Sequence, residues 1–176
     1  MDRIVCTDLR LPPEHLGVKH HEHLDALDKS AIEQLVTKYD VGEVYCLAAL
    51  LSATGEIDPL KTEKINMTAL FNVLELAREG KINKLFWPSS IACMGPNTPK
   101  DSPQYTIMDP TTVYGITKKA GELWCQYYFQ RYGVDVRSIR YPGLIGYRSA
   151  PGGGTTDYAV DIFHKAIMDK PYTCYL

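Results

Sequence analysis

Tyr114 and Lys118 lie one helical turn apart, a spacing that would place a phenol and an ammonium on the same face of a helix. A tyrosine phenol titrates near about 10 and is a poor base at neutral pH. A nearby ammonium favours the phenolate, and lowering the phenol pKa to about 7 requires roughly 4 kcal/mol, at about 1.36 kcal/mol per unit. Such a pair could remove a proton from an alcohol, although this spacing is also common on helix surfaces.

Polar or small residues follow three of the predicted strands, at the edge where parallel sheets bind ligands. Ser89 and Ser90 could hold a substrate oxygen beside the tyrosine, or they could form a turn or a helix cap. Pro142 and Gly143 would let the backbone approach a flat ring, or they mark only the end of a strand. Asp8 could accept two ribose hydroxyls and would repel a 2′-phosphate, or it is a surface aspartate in a turn.

These residues must be positioned by strands that alternate with helices of ten or more residues. This alternation predicts an α/β fold whose parallel strands are joined by right-handed crossovers. The segment 15–24 is polar and is predicted to be irregular. Strands are predicted over residues 3–8, 43–49, 85–88 and 134–140, with a fifth beginning in 172–175, and helices over residues 29–39, 60–79, 111–132 and 155–168.

Composition favours one soluble globular domain, since the chain has 176 residues, of which 45% are hydrophobic and 23% charged. The formal net charge of -2 and the mixed charge pattern give no indication of nucleic-acid or membrane binding. No stretch approaches the roughly 18 apolar residues of a membrane span. The five cysteines are odd in number and widely spaced, which predicts no disulfide framework and a reducing, cytoplasmic location.

No metal site is predicted. His20, His21 and His23 are close in sequence, but adjacent residues do not easily converge on one ion, and no cysteine or carboxylate set has zinc-site spacing. A solvated loop is therefore the preferred interpretation of this segment. Trp87 and Trp124 are expected to lie in the core or in an interface.

Residues 87–95 (WPSSIACMG) and 113–118 (VYGITK) resemble the catalytic motifs of the extended short-chain dehydrogenases/reductases, the NAD-dependent epimerase/dehydratase family. Asn66 on the preceding helix would complete the family's tetrad with Ser90, Tyr114 and Lys118. The resemblance covers nearly the whole chain. It implies a Rossmann-like, doubly wound parallel sheet and an NAD cofactor.

A narrower resemblance is to the short-chain type of L-threonine 3-dehydrogenase, and it rests on residues 49–53 (ALLSA) and 151–160 (PGGGTTDYAV). It implies oxidation of the L-threonine 3-hydroxyl to 2-amino-3-oxobutyrate in threonine catabolism, with residues 147–176 entering the substrate region. Two alternatives stay open. One is a sugar-nucleotide epimerase or dehydratase with the same tetrad, and the other is a non-catalytic Rossmann-like binding protein.

The family resemblance also implies roles for individual residues. Tyr114 takes the proton of the substrate hydroxyl, and Lys118 lowers the phenol pKa and binds the nicotinamide ribose. Ser90 or Ser89 holds the reacting oxygen, and Asn66 holds a water in a proton relay. The implied cofactor contacts are Asp8, Leu9, Arg10, Asp25, Ala26, Leu47, Ala48, Ala49, Asn66, Tyr114, Lys118, Tyr141, Pro142 and Gly143, and the implied substrate contacts are Ser52, Ser89, Ser90, Tyr114, Gly154, Thr156 and Asp157.

The sequence departs from the family pattern at its start, since no G-x-x-G-x-x-G or G-x-G-x-x-G segment occurs in it. The strand ending at Asp8 corresponds to the family's second strand, so the first strand, the glycine-rich loop and the first helix are missing. Residues 1–176 are therefore expected to form one incomplete NAD-binding and catalytic domain, truncated at both ends. Without the phosphate loop, the isolated chain is expected to bind NAD poorly and turn over little.

Two further expectations follow from the same resemblance. Relatives use the helix that carries the tyrosine and the lysine in a two-fold interface, so a homodimer through residues 114–132 is expected. A mitochondrial parent protein stays open beside the cytoplasmic location, because the expected N-terminal region is missing.

Overall fold

A computed structural model describes residues 4–10, 19–146 and 157–173. All strand pairs in these residues are parallel, and helices connect three of the six pairs of successive strands, which confirms the α/β, Rossmann-like fold class. The strands are β1 (Val5–Asp8), β2 (His20–His23), β3 (Glu43–Tyr45), β4 (Lys84–Phe86), β5 (Ser89–Ser90), β6 (Val136–Arg137) and β7 (Arg140–Tyr141). The helices are α1 (Lys29–Tyr39), α2 (Ser52–Gly55), α3 (Pro59–Arg78), α4 (Val113–Tyr132) and α5 (Tyr158–Ile167), with a 3-10 turn at Ile91–Cys93.

The central ladder has the order β3-β4-β6 and continues as the pair β5-β7. Each of the two predicted strands here, 85–88 and 134–140, is divided into two short strands. Pro88 has no amide hydrogen for the ladder, which interrupts the first of them. Backbone bonds from Trp87 to Arg137 and from Ser89 to Ile139, both of 2.9 Å, still join the two halves. The ladder therefore carries Ser89 and Ser90 to the carboxyl edge of the sheet.

β2 is a strand that the sequence did not predict. His20–His23 pairs with β1 in parallel, with His23 opposite Asp8, so the prediction of a solvated loop was wrong. The segment has no apolar alternation, which is the usual signal of a half-buried strand. Its side chains are held instead by contacts to the end of α1: Glu22 accepts hydrogen bonds from Lys38 and Tyr39, and the His20 ring lies 5.7 Å from the Tyr39 ring.

β1 and β3 are not neighbours. In residues 4–10 and 19–146, β1 pairs with β2 alone and β3 pairs with β4 alone. Within the described residues, the strand ending at Asp8 and the strand containing Val44 therefore share no neighbour. Ile4, just before β1, is 54% exposed, and Leu47, just after β3, is 65% exposed.

The long helices begin and end close to their predicted bounds, and a polar residue caps the start of α1, α3 and α4. Asp28, Asp58 and Thr112 each accept a hydrogen bond from the third residue of the following helix. Two short elements, α2 and the 3-10 turn, were not predicted. At the C-terminal end, residues 155–156 and 174–175 of the predicted helix and strand lie outside the described residues, and residues 172–173 are not in a strand.

The core forms where α3 and α4 pack against each other and against the sheet. Leu70, Leu74 and Leu76 of α3 and Leu85 of β4 are fully buried. Cys46, Cys93 and Cys125 are also buried as free thiols, and a buried thiol packs as a small apolar side chain. Among the described helices, none is long and apolar enough to cross a membrane.

Glu75 links α3 to α4, and we expect this link to make stability depend on pH. Hydrogen bonds from Arg78 and Tyr128 lower the pKa of Glu75 from 4.5 to about 2. A carboxylate with a lowered pKa stabilises the fold above its unfolded pKa, and this stabilisation is lost as pH falls from about 4.5 towards about 2. Glu75→Gln should therefore lower stability at pH 7 and flatten the acid limb of stability against pH.

Urea unfolding at a series of pH values measures this effect. Glu63→Gln is the matched control, since Glu63 is exposed on the same helix. An equal loss of stability for the two variants at pH 7 would contradict a role for the Glu75 contacts.

Candidate active site

Ser90 and Tyr114 meet at the carboxyl edge of the sheet. Ser90 is the last residue of β5, and Tyr114 is the second residue of α4. The Ser90 side chain lies close enough to the phenol to oppose a rise in its pKa, and the Ser90 hydroxyl accepts the amide hydrogen of Ala92 at 3.1 Å. Gly115 lets the two elements approach, because a Cβ at this position would lie 2.1 Å from the Ala92 carbonyl oxygen. The serine and the phenol can therefore hold one substrate oxygen between them.

Lys118 lies behind Tyr114 and is almost completely buried, with 3% of its surface exposed. Its Nζ donates a hydrogen bond of 2.5 Å to the Pro88 carbonyl oxygen. The same atom lies 4.5 Å from the centre of the Trp87 ring and 5.4 Å from the centre of the Tyr114 ring. Burial lowers the pKa of Lys118 to about 8. The site thus contains an amine that titrates close to neutral pH, which is typical of functional sites.

The structure corrects one expectation about Tyr114. The sequence predicted that Lys118 lowers the phenol pKa, but burial instead raises the pKa of Tyr114 above its usual value. The Ser90 side chain opposes this shift and does not overcome it. Lys118 does not offset this shift, although its Nζ lies 5.4 Å from the centre of the phenol ring. In this state the phenol is protonated at neutral pH, and a further positive charge would be needed to ionise it.

Ser89 faces away from Tyr114, since successive residues of a strand point to opposite sides of the sheet. Its hydroxyl donates a hydrogen bond of 2.6 Å to Glu122, and the residue is 2% exposed. Glu122 also receives two hydrogen bonds, of 2.8 and 2.7 Å, from Arg140. Burial opposes ionisation of Glu122, yet these donors hold its pKa below the usual value. The prediction that Ser89 contacts the substrate is therefore not supported, and Ser90 is the serine that faces the phenol.

Asn66 is buried and has a structural partner on each side. Its carboxamide accepts the Leu50 amide hydrogen at 2.8 Å and donates to the Leu50 carbonyl and the Thr117 hydroxyl at 3.2 Å each. These bonds fix the loop after β3 against α3 and α4. The two donors of the carboxamide and one of the two lone pairs of its oxygen are engaged with the chain, and the expected role in holding a relay water stays a prediction.

Two acidic residues predicted to contact a cofactor lie together at the ends of β1 and β2. Asp8 ends β1, and the Leu24 amide after β2 donates to its backbone oxygen at 3.0 Å. The Asp8 carboxylate accepts the amide hydrogen of Arg10, and the Asp25 carboxylate accepts that of Leu27, both at 2.9 Å. β2 is what brings these two carboxylates to the same edge.

The other predicted contacts that are described lie in or after strands, at the start of α2, or at the residue before α5. Leu47 and Ala48 are exposed after β3, and Pro142 and Gly143 are exposed after β7. Gly154 and Thr156 lie outside the described residues. The remaining predicted contacts that are described are partly buried, namely Ala26, Ala49, Ser52, Tyr141 and Asp157, while Leu9 and Arg10 are exposed.

Sequence reasoning missed the residues that hold the site from behind. Thr117 receives the Asn66 amide, and Glu122 with Arg140 anchors Ser89, but residues so far apart in sequence leave no local pattern. The position of Trp87 had one weak signal in the sequence, which is Gly121. This glycine follows Lys118 by three residues, and a glycine inside a helix indicates that a bulky group such as the Trp87 ring approaches there.

Comparison with known proteins shows the family of the chain. The model of the NAD dependent epimerase/dehydratase family matches residues 3–170. An uncharacterized epimerase/dehydratase of Staphylococcus saprophyticus is 49% identical over 99% of this chain and 55% of its own length. The holo form of the GalE-like L-threonine dehydrogenase from Cupriavidus necator is 54% identical, with a TM-score of 0.91 over 97% of this chain and 55% of that chain.

The L-threonine dehydrogenase from Clostridium difficile is also similar, with 45% identity and a TM-score of 0.90 over 97% of this chain and 54% of that chain. This chain therefore spans about half the length of the proteins that it matches.

Proposed function

The chain belongs to the NAD-dependent epimerase/dehydratase family, and from this membership we propose that it supplies the catalytic residues of an L-threonine 3-dehydrogenase. The reaction would oxidise the 3-hydroxyl of L-threonine to give 2-amino-3-oxobutyrate. The observation that carries the proposal is the Ser90, Tyr114 and Lys118 constellation, in a chain 54% identical to a threonine dehydrogenase along nearly all its length.

The described residues offer suitable binding partners for the nicotinamide, the ribose and the adenine of an NAD molecule. Among the described residues, Lys118 donates one hydrogen bond, to Pro88, so its ammonium has further donors for ribose hydroxyls. Small and apolar residues after β3 and β7 leave room for a flat ring. Asp8 and Asp25 offer carboxylate oxygens to the adenosine ribose and the adenine edge. When bound, NAD would supply the hydride acceptor.

The protein's own residues would then manage the proton. Ser90 would hold the substrate oxygen beside the phenol, and Tyr114 would accept the hydroxyl proton as a general base. Lys118 would hold the ribose and supply positive charge to the phenolate. Because burial raises the pKa of Tyr114, the phenol would depend on the positive charge of Lys118 and the bound cofactor to ionise near neutral pH.

L-threonine also presents an ammonium, which needs an anionic partner, and a carboxylate, which needs hydrogen-bond donors. We propose that Asp157, at the start of α5, pairs with the ammonium, and that Ser52, at the start of α2, serves the carboxylate. The glycine-rich segment 151–160 would contribute Gly154 and Thr156 in the same region.

A chimera tests the proposed reaction. In it, this chain replaces the matching 55% of the Cupriavidus necator L-threonine dehydrogenase. NADH formation with L-threonine is expected for the chimera and little or none for the 176-residue chain alone. Robust turnover by the isolated chain would contradict the expectation that the phosphate loop is required.

A sugar-nucleotide epimerase or dehydratase is the second candidate, and the name of the curated relative favours it. The two substrate classes separate in one assay, with UDP-glucose and L-threonine offered to the same chimera. Conversion of UDP-glucose, with no NADH formed from L-threonine, would overturn the threonine proposal.

We also propose a homodimer through α4. Ile116, Ala120, Leu123 and Tyr127 form an uncharged stripe along one side of this helix, and three of them are 45–56% exposed. An exposed apolar stripe along one helix face is suited to a self-complementary contact. Light scattering is expected to give a dimer for the chain and a monomer for Leu123→Glu. A monomer for the unchanged chain would exclude this interface.

A further inference from the structure

Trp87 lies beneath the ammonium of Lys118. Its side chain is 3% exposed, and the Lys118 Nζ lies 4.5 Å from the centre of the indole ring. The next residue, Pro88, accepts the hydrogen bond from the same Nζ. We propose that Trp87 is a positioning residue, whose indole face and adjoining Pro88 carbonyl keep the Lys118 ammonium charged and hold it beside Tyr114.

The charge on Lys118 needs such a partner because no anion faces it. Among the described residues, no salt bridge includes Lys118, although the side chain is buried. The titratable groups that face it are Cys46 after β3 and Cys125 and Tyr114 on α4. Burial raises the pKa of Cys46 to about 11 and that of Cys125 to about 12, so both thiols are neutral. An aromatic face and a carbonyl are therefore what stabilise the cation.

Gly121 makes the contact sterically possible. A Cβ at this position would lie 2.3 Å from Cη2 and 2.6 Å from Cζ2 of Trp87. Both atoms belong to the six-membered ring of the indole, which fills the space left by the missing side chain. Gly121 lies on the same face of α4 as Tyr114 and Lys118, at seven and three residues from them. The helix thus presents the phenol, the ammonium and a gap for the indole along one line.

The role in catalysis rests on the proposed function, in which the charged Lys118 holds the ribose and favours the phenolate. The placement of the ammonium does not rest on it. A measurement of the Lys118 charge in the folded chain therefore tests this inference without any assay of turnover.

The experiment is a pH titration of the 176-residue chain labelled with [13Cε]lysine, followed by NMR, with the Lys118 signal assigned from its loss in Lys118→Met. In the unchanged chain this signal is expected to titrate near about 8. Trp87→Leu keeps an apolar side chain but removes the aromatic face, and it is expected to lower the Lys118 pKa by about one unit. Trp87→Phe keeps an aromatic face and is expected to restore most of that shift.

The second tryptophan is the matched control. Trp124 lies on the same helix as Lys118, is 41% exposed, and packs against Phe71 and Tyr127. Trp124→Leu is expected to leave the Lys118 pKa unchanged. An unchanged or raised Lys118 pKa in Trp87→Leu would overturn the inference, since the indole would then do no more than exclude water.

Gly121→Ala provides a second test if Trp87→Leu does not fold. The added methyl group should displace the indole and lower the Lys118 pKa, but in the Trp87→Phe background the smaller ring leaves room for it and the effect should be lost. Equal shifts in the two backgrounds would overturn the inference. If the Lys118 pKa responds as expected while the chimera oxidises neither L-threonine nor UDP-glucose, the inference stands and the proposed function fails.

Discussion

Tyr114→Phe is expected to lower the rate of L-threonine oxidation by the chimera about 10³-fold, because it removes the proposed general base. The phenylalanine ring occupies the same volume in a half-buried position, so the fold should be retained. The phenol is the group of the constellation that faces Ser90, with Lys118 5.4 Å from its ring. The Lys118 ammonium is directed to the Pro88 carbonyl, so it should not replace the phenol as the base.

Steady-state kinetics measure the effect, and Tyr105→Phe is the matched control because Tyr105 is 93% exposed. The control should keep the activity of the unchanged chimera. A Tyr114→Phe variant that folds and loses less than tenfold in kcat would exclude Tyr114 as the base and leave Ser90 and Lys118 as binding groups.

Gly115→Ala is expected to destabilise the chain by about 1–3 kcal/mol and to reduce the activity of the chimera. Helix propensity favours alanine over glycine by about 1 kcal/mol, so the variant would be more stable if propensity decided. The new Cβ, however, would lie 2.1 Å from the Ala92 carbonyl oxygen and 2.8 Å from the Pro110 side chain. A backbone carbonyl cannot rotate away as a side chain can, so the start of α4 must move and the contact between Tyr114 and Ser90 must open.

Urea unfolding and the activity of the same variant in the chimera measure the two effects. Gly42→Ala is the matched control, since a Cβ there would meet only the Asn83 amide nitrogen, at an ordinary 3.4 Å. If Gly115→Ala is as stable as the unchanged chain, the close packing of α4 against the 3-10 turn cannot be what holds Tyr114 in place.

The roles of the two serines follow from the fold and not from the motif. Ser89 is fixed by Glu122 and Arg140, which anchors β5, and this leaves Ser90 on the face that meets Tyr114. Asn66 acts in the same way on the other side of the site, through the backbone of Leu50. The constellation is therefore held by buried side chains whose partners lie on different elements.

The sequence by itself determined the alternation of strands and helices, the catalytic motif and the family, because these depend on local spacing and on residue types. Apolar periodicity also predicted the long helices nearly to their ends, and the structure adds the caps at Asp28 and Asp58. The one-turn spacing of Tyr114 and Lys118 is enough to place the two side chains on one face of a helix.

Only the tertiary structure decided which serine faces the phenol, where the charge of Lys118 is directed and that His20–His23 is a strand. Ser89 and Ser90 are identical in type, so the sequence does not show which of them faces which side of the sheet. The partners of Lys118 lie 30 and 31 residues away, at Pro88 and Trp87, and a polar strand held by side-chain contacts has no hydrophobic pattern. Each of these outcomes depends on contacts between distant segments, and single-sequence periodicity carries no information about such contacts.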